Sequence, residues 1–211
     1  MVSLSLLTIL SFNPAPELDQ LLRAHHAGEM MPNFEARVTS ACATTDGLEF
    51  LEGRIATSRI ISKNDAESRE ASNAAGFLLN LCGHSARKAM AGRLVTFSAM
   101  RDQAMSELEA EVAGGKPRYD VSRDLIHAAD RLLSMEHLII RSFGVQRDDY
   151  LVPQLLTRLP NDQQLQLAIV NYFIAVGARE SEVKYALAAL RNSTNSQPLI
   201  RRIDDWFAQF G

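Results

Sequence analysis

The sequence predicts an all-α fold: a multi-helix bundle of about seven to nine helices with a long central antiparallel hairpin over residues 85–143. Three observations carry this prediction. Apolar residues recur at helical spacing through almost the whole chain, the intervening loops are short and marked by Gly and Pro, and strand-like alternation is confined to the first residues. With 211 residues, 46% of them hydrophobic and 22% charged, the chain can bury a sizeable core. It reads as one helical domain over 17–211, with possible subdomains 17–144 and 145–211.

Residues 1–16 stand apart as an apolar arm and a proline linker. The arm carries Val2, Leu4, Leu6, Leu7, Ile9, Leu10 and Phe12 and no charged side chain. It lacks the basic start and small-residue cleavage site of a secretory signal. An uncharged apolar arm is an association surface unless it packs into its own core, so these seven residues are candidates for contact with a partner. Asn13-Pro14-Ala15-Pro16 ends the arm, because each proline disfavours helix in the residue before it.

A short helix follows over Glu17–Ala27, with Leu18, Leu21 and Leu22 on one side and Gly28 as its stop. The next is opened by Pro32-Asn33 and broken at Asp46-Gly47. Asp46 with Glu49, and Asn64 with Glu67, have the spacing of capping boxes. Residues 65–82 are rich in Ala, Ser and Gly, which lets helix axes approach closely, and Gly83 terminates that helix. Ser85–Val112 reads as the longest helix, ended by Gly114-Gly115-Lys116-Pro117. That sequence is not a phosphate loop, since the spacing GxxxxGK[ST] is absent.

Asp120 is the predicted cap and Gly144 the predicted stop of the central helix. At 100° per residue, Leu125, Ala129, Leu132, Leu133, Ile139, Ile140 and Phe143 fill a broad arc, so several neighbours should cover this helix. Opposite lies a polar stripe of Arg123, His127, Asp130, Ser134, His137 and Arg141. Shorter helices are predicted over 147–159, 162–176, 180–191 and 198–210, the last with Trp206, Phe207 and Phe210 on one face.

Two charges break their patterns. Glu136 lies in the apolar arc, and Arg101 lies in the stripe of Met90, Leu94, Phe97, Met105, Leu108 and Val112. In a hairpin centred near residue 117, Arg101 is 16 positions before the centre and Glu136 is 19 after it. The difference of three is less than one turn. Opposite charges at matching height on two apolar faces predict a buried structural ion pair, since a lone buried carboxylate is too costly to keep charged. A different arginine is the alternative partner for Glu136.

No motif of catalysis or of cofactor or metal binding is present. The stripe holds the letters of a hydrolase triad, but a mid-helix serine has its neighbouring N–H groups committed to the helix and gains no oxyanion hole. His127 and His137 are about 15 Å apart along a helix, too far to share a metal. His25 and His26 point about 100° apart. HExxH, zinc-type cysteine spacing and dinucleotide loops are absent. No catalytic residue, cofactor or metal is therefore assigned, and the stripe reads first as a solvated or interhelical polar seam.

The net charge of −3 and the absence of a basic run disfavour nucleic acid. Cys42 and Cys82, both in apolar helical patterns, read as buried thiols in a reducing compartment, hence cytoplasmic, with non-classical secretion as the alternative. No apolar run reaches the ~20 residues of a membrane helix. The expected function is a non-catalytic protein–protein interaction protein, such as an adaptor, regulator, effector or assembly subunit, that binds a protein partner or itself. An enzyme or small-ligand binder with a site between helices is the alternative. A nucleic-acid-associated or coat-like helical protein is the third reading.

Overall fold

The computed structural model describes residues 15–56, 66–117 and 122–211. The apolar arm therefore lies outside the described residues, as do Asn64 and Asp120. The described chain is an all-α multi-helix bundle and contains no strand. No described helix is long and apolar enough to cross a membrane. The chain divides into two compact units, 1–90 and 91–211. That division falls at residues 90–91, well before the boundary at 144–145 that the sequence suggested.

The first unit is built from α1 (Pro16–Ala27), α2 (Phe34–Cys42), α3 (Thr45–Ala56), α4 (Ala66–Asn80) and most of α5 (Gly83–Ala91). Leu18 and Leu21 of α1, Leu51 of α3 and Leu78 of α4 are fully buried, which is the apolar spacing of these helices realised as a core. Gly28 ends α1 at φ 72°, a left-handed conformation that glycine adopts without a Cβ penalty. The α2–α3 break lies at Ala43-Thr44, not at Asp46-Gly47. Thr44 Oγ1 accepts the Gly47 N–H at 3.0 Å and so caps α3, which places Asp46 and Gly47 inside its first turn.

Cys42 and Cys82 are joined in a disulfide, with S–S 2.05 Å. This corrects the expectation of two buried thiols and removes the premise from which a reducing compartment was read. Both residues are buried, as their apolar patterns require, but α2 and the turn between α4 and α5 bring the two sulfurs together across 40 residues of sequence. Closing a loop of that length removes about 4 kcal/mol of unfolded-chain entropy in the chain-entropy view.

The second unit holds α6 (Leu94–Ala113), α7 (Arg123–Val145), α8 (Val152–Arg158), α9 (Gln166–Val176), α10 (Ser181–Ser193) and α11 (Gln197–Phe210). The predicted helix Ser85–Val112 is thus two helices, parted at Gly92-Arg93, and Met90 belongs to the first unit. The central hairpin is α6 with α7. Its ends are fastened where Glu111 Oε2 accepts the Ser122 N–H at 2.9 Å. That hydrogen bond, with Lys116 at 3.0 Å, holds the Glu111 carboxyl below its ordinary pKa.

Gly144 does not stop α7. It is buried within the helix and faces α9, where a Cβ would meet Ala175 and Tyr172 at ordinary van der Waals distance. Helix α11 is docked: Trp206 is fully buried and its indole N–H donates to Ala178 O at 3.0 Å.

Candidate functional site

Two features of the second unit meet on α7: a buried cluster of charges on one side and an apolar groove on another. The cluster begins with Glu136, whose side chain is 0% exposed. Arg101 of α6 places Nη1 3.2 Å from Glu136 Oε2, at an angle too poor for a hydrogen bond, so this contact is one of charge. The hydrogen bond to Glu136 comes from Arg158, the last residue of α8, with Nη2 2.5 Å from Oε1. Asp162, in the turn before α9, accepts from Arg101 Nη2 at 2.5 Å and from Arg158 Nη2 at 2.9 Å. Ser98, almost one turn before Arg101, accepts from the same Arg158 nitrogen at 3.0 Å.

Two arginines and two carboxylates therefore alternate, and their formal charges sum to zero. The side chains of Arg101, Asp162 and Arg158 are 4%, 11% and 13% exposed. Burial of this depth demands pairing, because an isolated ion would lose its hydration without compensation. Burial is the largest influence on Glu136 and pushes its carboxyl above the ordinary value, against the pull of Arg158 and Arg101. Asp162 is less deeply placed. Burial opposes its charge too, but the hydrogen bonds and proximity of Arg101 and Arg158 prevail and hold its carboxyl below the ordinary value.

An opening of about 430 Å³ lies over this cluster, rimmed by side chains such as Asp102, Met105, Thr157, Asn161 and Gln163. Its buried charges are paired with one another, and the exposed Asp102 carboxylate on its rim lies 4.0 Å from Arg101 Nη2.

The sequence located Arg101 and Glu136 because each interrupts an apolar stripe. It did not locate Arg158 or Asp162, which flank Pro160-Asn161 where a helix was expected to begin. Their spacing of four residues, with opposite charge, was the available signal.

The polar stripe is outward-facing. Arg123, His127, Asp130, His137 and Arg141 are exposed, and Ser134 is half-buried. Its members do not form the side-chain contacts of a triad. Ser134 Oγ donates to Asp130 O at 2.8 Å, and the ring of His137 lies 3.4 Å from Gln164 O. Among the described residues, no group of three or more His, Cys, Asp or Glu is placed to hold a metal ion.

The C-terminal half of the stripe does border something. Ser134, His137 and Arg141 edge a groove of about 680 Å³ between α7 and α9. Its apolar surface comes from residues including Leu133, Leu138 and Val145 on α7 and Leu167 on α9. Gly144, Ala168 and Ala175 line it as well.

No family model, curated protein or solved structure matches this chain.

The cluster makes two testable statements. Glu136→Leu leaves the two buried guanidinium groups of Arg101 and Arg158 sharing the single carboxylate of Asp162, an excess of one buried positive charge, and should cost about 3–5 kcal/mol of folding stability. Double-mutant cycles by urea unfolding should then couple Glu136→Leu with Arg101→Met, and also with Arg158→Met, by at least about 1 kcal/mol. Simple additivity in both cycles contradicts the cluster.

The second statement concerns acid. Asp162 has a lowered native pKa, so its stabilisation is complete above the ordinary carboxylate value and is lost as pH falls through the native one. Asp162→Asn should flatten the decline of stability below about pH 4. Glu136 has the opposite sign: its contribution is present below the ordinary value and is lost as pH rises. Glu136→Gln should accordingly steepen the same limb. An unchanged acid limb in both variants contradicts the assignment.

Proposed function

We propose that this chain is a non-catalytic protein–protein interaction protein and that the α7–α9 groove is where its second unit receives a partner. The observation that supports this reading is the groove itself: an apolar, open concavity edged by polar side chains. Leu167 is 41% exposed at its side, and Val145 is exposed at its end. Large side chains left in contact with water along one concave surface are what a partner's apolar face would cover.

The charged residues support the same reading from the other direction. A hydrolytic or proton-transfer site needs a base or nucleophile with free valence beside a space for substrate. The buried carboxylates Glu136 and Asp162 are both engaged by arginines, and the serine and histidines of the stripe form no such arrangement. We place the apolar arm, Val2 to Phe12, as a second contact surface for a partner or for another copy of the chain.

The test is capture of partners from the native host with three baits. Leu167→Glu inserts a charge into the groove and should abolish capture of the groove partner, while the melting temperature stays within a few degrees of the unsubstituted chain. Tyr185→Ser, at an exposed position on α10, is the control and should retain it. A chain lacking residues 1–12 reports separately on the arm. An identical set of captured proteins for all three baits and the unsubstituted chain contradicts the proposal.

A further inference from the structure

The groove's charge and length specify the kind of partner it fits; this inference rests on the binding role proposed above. None of the residues lining the groove is acidic. On the α7 side the rim carries the exposed Arg141 guanidinium and the His137 imidazole. On the α9 side it carries Asn171, whose Oδ1 accepts from the Arg202 guanidinium behind it, with Asp205 sharing that arginine at 3.0 Å. Arg141 has no such acid drawn to it from the groove. The concavity is thus apolar along its floor, with one formal charge, the positive Arg141, on its edge.

From Leu133 to Val145 the α7 wall rises about 18 Å, at 1.5 Å per residue. That length matches about three turns of a second helix. Ala168 and the exposed Ala175 on the α9 side present little side-chain bulk to a ligand in the groove. A helix laid in such a groove touches it with apolar residues at i, i+3 or i+4, and i+7. The residues flanking that stripe then fall against the rim, where an acidic side chain meets Arg141 and a basic one is repelled.

We propose that the α7–α9 groove binds one amphipathic helix of another protein, with an apolar stripe about three turns long and an acidic residue on the flank facing Arg141. Arg141 selects by charge, and the apolar floor supplies most of the contact.

A displayed library of helical 18-residue peptides, with the apolar stripe fixed and the flanking positions random, is selected against the full chain. The recovered peptides should be acidic on one flank. Arg141→Glu should weaken them at least about fivefold by titration calorimetry, and should recover basic-flanked peptides when the selection is repeated. Leu167→Glu should weaken both kinds at least about tenfold. Arg141 and Leu167 are both exposed, so neither change should alter the melting temperature greatly.

Peptides that require Leu167 but show no acidic bias overturn the partner assignment and leave the groove as a binding site. Peptides indifferent to Leu167, or no recovered peptide at all, overturn both. Phosphatidylserine vesicles form a third arm. Binding to them that Arg141→Glu abolishes identifies a membrane surface as the acidic partner and overturns the protein-helix assignment.

Discussion

Glu136 has no access to water, and the second unit is arranged so that it does not need any. A carboxylate placed in the middle of an apolar helix face is tolerable only if charge and hydrogen bonds reach it from neighbouring elements. They reach it from two. Arg101 comes from the facing helix of the hairpin, and Arg158 comes from the end of α8. Asp162 then balances the second arginine charge and ties the turn before α9 to both. Each partner is fixed by the others, so α6, α7, α8 and the start of α9 share a single register. A slip of one turn along α7 moves Glu136 about 5.4 Å and leaves buried ions unpaired. Pairing of this kind adds little net stability over an apolar core of equal volume, and the penalty for mispairing is what defines the arrangement.

Helix α7 connects this constraint to the proposed function. One part of its circumference holds Glu136 and the buried residues Ile139 and Phe143, and another forms a wall of the groove. Ala175 and Tyr172 of α9 lie beside Gly144 of the same helix. The groove's shape is therefore a consequence of where α7 stands, and the charge cluster sets where α7 stands. A preformed concavity of this kind spares a partner the ordering entropy of assembling its own site.

The helical nature of the chain was legible because periodicity is a local property. The apolar arc of the central helix, Leu125 to Phe143, and its opposing stripe can be read from spacing alone. Two pattern-breaking charges were also legible, since each violates a regular face. Arg158 and Asp162 were not, because they lie in an α8 terminus and a turn where no periodic expectation exists to be broken. The disulfide was missed for a related reason: Cys42 and Cys82 look like apolar core positions, and only the tertiary placement of α2 beside the α4–α5 turn shows that they meet. Caps were misread where two polar residues competed, as at Thr44 and Asp46, and a helix break was missed at Gly92-Arg93. The groove arises from the crossing of two helices more than twenty residues apart, and no single window of sequence contains it.

The most direct measurement is the amide proton–nitrogen NMR spectrum of a variant in which all four charges are removed together: Arg101→Met, Glu136→Leu, Arg158→Met and Asp162→Asn. With no buried ion left unpaired, the chain should fold with a stability near or above that of Glu136→Leu alone. If the cluster fixes the position of α7, the signals of α7 and α9 around the groove should be broadened or multiplied, because several registers become comparable in energy. A single sharp set of groove signals at their original positions would contradict the account.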